Sequence, residues 1–211
     1  MVLKVCGITR LIDARQAVEQ GATALGFVFW PRSPRWVAPE RAAEIIAALP
    51  SAVAMVGVFV NEPVDSARAA ALKAGVNIVQ LHGDEPPAYG DALGYPVFRS
   101  MTLDDAADVM SAWLPGTPLL LDAADRARRG GTGVTVDWTQ AVGLARQRRV
   151  ILAGGLTPDN VGEAIELVNP YGVDVSSGVE ASPGVKDPVK VSKFLEHARA
   201  AFERRARRET L

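Results

Sequence analysis

Val2-Leu3-Lys4-Val5-Cys6, followed by Gly7-Ile8-Thr9, is the stretch from which the rest of the chain is read. A short apolar run closed by glycine reads as a β-strand and its turn, since Gly adopts turn conformations without steric cost. Thr9 is then in position to cap a helix over Leu11 to Gln20. Cys6 is the chain's only cysteine. It falls at the carboxyl end of this strand, the edge where parallel α/β sheets carry their chemistry.

The same unit recurs down the chain. Ala24 to Phe29 reads as a second strand and Pro39 to Leu49 as its helix, with Pro in the first turn, where its missing N–H costs nothing. Further strand–helix pairs fall at Ala54 to Val60 with Val64 to Ala74, Val76 to Leu81 with Pro86 to Leu93, and Val97 to Ser100 with Asp104 to Trp113. The series closes with Pro118 to Leu121 and Asp137 to Arg146, Val150 to Ala153 and Pro158 to Leu167, then Gly172 to Val175 and Pro188 to Arg205. Continuous apolar strands alternating with amphipathic helices predict a parallel sheet covered on both faces. Eight such units in 211 residues predict an α/β, single-domain (β/α)8 barrel over residues 1–211, lean for that fold. A doubly wound open sheet is the alternative, and it fits less well because no G-x-G-x-x-G follows the first strand.

Composition narrows the classes of function. The chain is 48% hydrophobic, with a formal net charge of −1 and a pI near 6.2. Nothing in that balance draws it to nucleic acid or to an anionic membrane. Arg204-Arg205-Ala206-Arg207-Arg208 reads as the solvated, fraying end of the last helix, because no aromatic residues accompany it. One cysteine cannot form an internal disulfide, which fits a reducing compartment. The opening does not resemble a signal peptide, and no apolar stretch approaches the roughly 20 residues of a membrane helix. A cytoplasmic protein is expected, as a monomer or a homodimer.

In a barrel, the residues just after the strands share one rim: Cys6, Trp30 to Arg35, Asn61, His82, Ser100, Asp122, Gly154-Gly155 and Ser176-Ser177-Gly178. The last two groups follow the seventh and eighth strands. There, backbone N–H groups and the start of a short extra helix make a phosphate seat; alternatively the glycines only make tight turns. Asp122 ends an apolar strand, which is costly unless it faces solvent or a site. Partly apolar surroundings would raise its pKa toward a proton-donating role; a cap or a loop ion pair with Arg126, Arg128 or Arg129 is the alternative. Cys6 reads as an inert core thiol or as a thiolate nucleophile or base. Arg35 lies in Trp30-Pro31-Arg32-Ser33-Pro34-Arg35-Trp36. Its guanidinium fits a carboxylate and the flanking tryptophan an aromatic ring, although a surface charge reads equally well. Asp174, inside the eighth strand, must be paired or functional and is held as an auxiliary substrate-site residue. Gln80 and His82 read as hydrogen-bonded rim residues near the substrate. Gly130-Gly131-Thr132-Gly133 reads as a loop able to fold over a ligand. No Cys/His cluster has metal-ligand spacing, so no metal is expected.

Together these stretches resemble the phosphoribosylanthranilate isomerase family. The matches are Lys4-Val5-Cys6-Gly7-Ile8-Thr9, Ser33-Pro34-Arg35, Gln80-Leu81-His82-Gly83, Leu120-Leu121-Asp122, Gly130-Gly131-Thr132-Gly133 with Asp137-Trp138, Ala153-Gly154-Gly155-Leu156, and Val173-Asp174-Val175-Ser176-Ser177-Gly178-Val179-Glu180. They run in order across essentially the whole chain. The resemblance implies a cofactor-free Amadori rearrangement in tryptophan biosynthesis, turning N-(5-phosphoribosyl)anthranilate into 1-(2-carboxyphenylamino)-1-deoxyribulose 5-phosphate. It implies Asp122 as general acid at the ring oxygen and Cys6 as general base at C2′. It also implies Arg35 on the anthranilate carboxylate, with the two small-residue turns on the phosphate. Val134 and Val136 stand where the family usually has Lys and Phe, which puts the family's loop contacts in question. The rival readings are the related isomerase of histidine biosynthesis, which opens on an acidic base, and a phosphate-binding barrel that has lost its acid/base pair.

Overall fold

The structure is a computed structural model that describes residues 1–123 and 136–209. Its strands are β1 (Val2–Cys6), β2 (Ala24–Val28), β3 (Ala54–Phe59), β4 (Ile78–Leu81), β5 (Val97–Met101), β6 (Leu119–Leu121), β7 (Val150–Leu152) and β8 (Gly172–Val175). They pair in parallel in chain order and close into a barrel where β8 meets β1. The helices are α1 (Leu11–Glu19), α2 (Pro39–Ile46), α3 (Val64–Ala74), α4 (Pro87–Leu93), α5 (Ala106–Ala112), α6 (Trp138–Gln147), α7 (Val161–Val168) and α8 (Pro188–Glu209). This is the single-domain (β/α)8 barrel expected from the strand–helix repeat.

The pleat sorts the core. Alternate strand residues point to opposite faces, so Leu3, Val5, Leu25 and Phe27 pack outward under the helices. Ala24, Val56, Phe98, Leu120, Ile151 and Ala153 fill the barrel interior. A third cluster, Cys6, Val28 and Val58 with Trp30 against them, includes the residue that ends β1. Lys4 shares the inward face of β1 with Cys6, and it is 1% exposed.

Several boundaries move for local reasons. The helix expected from Pro158 starts at Val161, because the Asn160 side chain accepts from the Thr157 N–H at 2.8 Å and donates to the Gly155 carbonyl at 3.0 Å. The helix expected from Asp104 starts at Ala106, since Asp105 Oδ1 accepts from the Thr102 N–H at 2.6 Å. Thr9 does not cap α1. Its hydroxyl donates to the Gly184 carbonyl at 2.5 Å, in the segment between β8 and α8, where only a short extra helix is expected. That segment holds a 3-10 turn (Ser177–Val179) and an antiparallel hairpin of β9 (Glu180–Ser182) and β10 (Val185–Lys186).

The basic end of α8 is not frayed. The helix continues to Glu209, and Arg204 and Arg208 both pair with Glu166 of α7 while Arg205 donates to Asn169 Oδ1. Those charges are used within the fold. Among the described residues, no helix is long and apolar enough to cross a membrane.

Candidate active site

The carboxyl ends of β6, β7 and β8 surround one chamber, lined by Asp122, Ala153, Gly154, Gly155, Leu156, Asp174, Val175, Ser176, Ser177 and Gly178. The turns expected to seat phosphate are thus brought against both expected carboxylates. Their glycines have steric reasons to be there. Gly154 and Gly155 adopt φ of 72° and 65°, the left-handed region that favours glycine. A Cβ on Gly154 would come within 2.5 Å of the Ala123 nitrogen, and one on Gly178 would collide with the Leu156 carbonyl oxygen. The two turns therefore pack backbone to backbone. The expected short extra helix is the 3-10 turn after β8.

Asp122 follows β6. Its Oδ1 accepts from the Ala123 N–H at 2.8 Å, and its Oδ2 lies 3.7 Å from His82 Nε2. Burial pushes the carboxyl above its ordinary range, with the Ala123 N–H and the charge of Lys4 opposing. His82 is held from below, its Nδ1 lying 2.9 Å from the Gln80 amide nitrogen, which also donates to Ser100 Oγ at 3.0 Å. These residues form a chain that leads to Asp122. Arg126, Arg128, Arg129, the Gly130-Gly131-Thr132-Gly133 loop and Val134 lie outside the described residues.

Cys6 is 8% exposed and packs against Val28, Val58 and Trp30. It is not cut off from charge. Lys4, two residues back on the same inward face, places its Nζ 3.0 Å from Asp174 Oδ2. Burial raises the Cys6 thiol above its ordinary pKa; Lys4 and, more weakly, Lys186 pull it down, while Asp174 adds to the rise. For Lys4, burial disfavours the ammonium, but Asp174 and Cys6 outweigh it and its pKa lies above the ordinary value. Asp174 is pushed up by burial and by Asp122, with Lys4 opposing. The tether between Cys6 and the Asp122 chamber is therefore the Lys4–Asp174 pair.

Arg35 is not the free carboxylate receptor that its loop suggested. Its Nε and Nη2 donate to the two carboxylate oxygens of Glu180 at 2.9 and 2.7 Å. Glu180 also accepts from Lys186 Nζ at 2.9 Å, and Lys186 in turn donates to the Ser176 carbonyl at 3.2 Å. Burial works against the Glu180 anion, but Arg35 and Lys186 win and hold its pKa below the usual range. The cluster sets two basic side chains against one carboxylate, and burial pulls the Lys186 pKa below its ordinary value with Glu180 opposing. The Arg35 stem crosses Gly7, where a Cβ would sit 2.6 Å from Arg35 Cδ and 3.1 Å from Ser176 Oγ. Of the flanking tryptophans, Trp30 packs toward Cys6, whereas Trp36 is 46% exposed.

Lys4, Glu180 and Lys186 are the functional-site residues that sequence reasoning passed over. The signal for Lys4 was available: a lysine on the same face as Cys6 in an otherwise apolar strand. Asn61, by contrast, has a structural task, donating its backbone N–H to Glu85 Oε1 at 2.6 Å and its Nδ2 to Asp84 at 3.0 Å. Among the described residues, no cluster of His, Cys, Asp or Glu could hold a metal ion.

The family model for "N-(5'phosphoribosyl)anthranilate (PRA) isomerase" matches residues 3–197. A curated relative from Geotalea uraniireducens, an N-(5'-phosphoribosyl)anthranilate isomerase, is 49% identical over 199 residues, covering 93% of this chain and 98% of its own. The crystal structure of phosphoribosyl anthranilate isomerase from Thermotoga maritima superposes with a TM-score of 0.88 at 40% identity, covering 95% of this chain and 100% of that one. A solved structure of a phosphoribosyl anthranilate isomerase in complex with reduced 1-(o-carboxyphenylamino)-1-deoxyribulose 5-phosphate has a TM-score of 0.84 at 39% identity, with coverage of 95% and 100%.

Proposed function

The chain belongs to the N-(5'-phosphoribosyl)anthranilate isomerase family, and from that premise we propose how its own residues share the work of the reaction. The protein catalyses the Amadori rearrangement of N-(5-phosphoribosyl)anthranilate to 1-(2-carboxyphenylamino)-1-deoxyribulose 5-phosphate in tryptophan biosynthesis. Asp122 is the general acid. Its raised carboxyl enters the cycle protonated and gives that proton to the ring oxygen as the C1′–O bond breaks and the nitrogen lone pair forms the iminium.

Cys6 is the general base and takes the C2′ proton, leaving the enolamine. The iminium created by ring opening adds positive charge next to the base when it is needed. The cycle closes when C1′ takes the proton from Cys6 and the C2′ hydroxyl returns one to Asp122. Atoms and charges balance, and no cofactor is drawn on.

The substrate's phosphate takes the backbone N–H groups of Gly154, Gly155, Ser176, Ser177 and Gly178. Its anthranilate carboxylate lies against the Nη1 edge of Arg35, the edge that Glu180 does not use. Asp174 is an auxiliary contact, its Oδ1 having no hydrogen-bond partner among the described residues. The observation that carries this reading is the single chamber shared by Asp122, Asp174 and both small-residue turns. On this reading the enzyme works in the cytoplasm, as a monomer or a homodimer.

A crystal structure with the reduced product analogue tests the reading. Phosphate density on the Gly154-Gly155 and Ser176–Gly178 turns, with the carboxylate at Arg35, is expected. Phosphate bound on any other face of the barrel would overturn it.

A further inference from the structure

We propose, resting on the reading of Cys6 as the base, that Lys4 is a positioning residue for the reaction: its ammonium, anchored on Asp174 inside the barrel, is the counter-charge against which the Cys6 thiolate forms. Lys4 and Cys6 are alternate members of the inward face of β1, and they pair in register with Ala24 and Gly26 of β2. The ammonium is fixed from the other side by Asp174, its register partner on β8, at 3.0 Å.

The decisive feature is Gly26. A Cβ there would lie 2.6 Å from Cys6 Sγ and 3.1 Å from Lys4 Nζ, so sulfur and ammonium reach into one small space that exists only because residue 26 has no side chain. The layer beneath is apolar, built of Ala24, Val56, Phe98, Leu120 and Ile151, and the neutral Gln80 and Ser100 also face inward, bonded to each other, so Lys4 and Asp174 put the charge beside the thiol. A buried ion pair is a poor way to gain stability, since well-packed apolar residues do as well or better. Its retention beside the one thiol calls for a task, and favouring a thiolate is what an adjacent cation does.

The charges that face Cys6 come from three elements. Lys4 on its own strand and Lys186 on β10 favour the thiolate, whereas Asp174 on β8 opposes it. Asp122 on β6 acts on Asp174. In the free enzyme the thiol gives its proton to water, Cys6 later takes the C2′ proton, and Lys4 keeps its own protons throughout. Asp174 thus has opposed effects: it holds the ammonium in place and weakens its influence on the sulfur.

Because the chain has a single cysteine, thiolate ultraviolet absorbance titrates this residue alone once a Cys6→Ser blank has removed the tyrosines. The titration is run on wild type, Lys4→Met and Asp174→Asn. Lys4→Met is expected to raise the thiol pKa by about one unit or more, which is roughly tenfold less thiolate at fixed pH, and Asp174→Asn to lower it. The ascending limb of kcat/KM against pH should move the same way in each. Should Lys4→Met fail to fold, Lys4→Met/Asp174→Asn is compared with Asp174→Asn, since it strands no carboxylate; the same upward shift is expected. Coincident titrations with and without the lysine would overturn the proposal. Near-normal turnover by Cys6→Ser would instead remove Cys6 as the base while leaving the titration result standing, so the two failures are distinct.

Discussion

The half of the rim built by β6, β7 and β8 and the half built by β1, β2 and the β9–β10 hairpin are held together by different physics. The first is a backbone object. Asp122 binds the N–H of its own neighbour, Asn160 ties down Thr157 and Gly155, and the glycines let the turns touch. The second is made of side-chain charges drawn from opposite ends of the chain, with Lys4 meeting Asp174 across 170 positions and Arg35 meeting Glu180 across 145. On the proposed reading the phosphate seat is a local shape, whereas the charged half is assembled only when the barrel closes. The two halves should respond differently to substitution.

The largest effect is expected on the charged side. Glu180→Ala leaves Arg35 and Lys186 without their shared carboxylate, and breaking a buried pair in this way costs about 3–5 kcal/mol. Denaturant titration reads it, and a loss under 1 kcal/mol would mean the cluster is solvated. On the backbone side, Gly178→Ala forces the β8 turn off the Leu156 carbonyl, an overpacking strain of about 1–3 kcal/mol. Affinity for the product analogue should weaken in parallel, and unchanged affinity would separate the turn from the phosphate.

Asp122 sharpens the comparison through pH. Its folded pKa lies above its unfolded one, so between those values the folded state holds more protons and stability falls as pH rises. Asp122→Asn removes that loss. Thermal midpoints should therefore gain on wild type from acid toward neutral pH, and parallel curves would contradict the buried carboxyl. The smallest effect is expected where neither half is touched. Gly162→Ala on α7 meets nothing within 4 Å and should stabilise by about 0.5–1 kcal/mol without altering turnover.

This contrast also explains what could be read from sequence. The strand–helix repeat, Cys6 and Asp122 at strand ends and the two small-residue turns follow from short-range pattern, and the barrel follows from their number. Thr9 was misread because its hydroxyl is taken by Gly184, 175 positions away. Arg35 was expected to hold a substrate carboxylate, and nothing local foretold that Glu180 would occupy its fork. The basic end of α8 is solvated, as expected, but it looked frayed because its partners, Glu166 and Asn169, lie on the preceding helix and at its C-cap. In each case the missing information was the partner, and the partner is set by topology.

The division of labour between sulfur and carboxyl is tested most directly by the turnover of N-(5-phosphoribosyl)anthranilate by Cys6→Ser and by Asp122→Asn, each with the affinity for the reduced product analogue measured alongside. Each variant should lose about 100- to 10,000-fold in kcat while binding the analogue nearly as wild type does. Either one turning over within a few-fold of wild type would contradict the roles assigned to both.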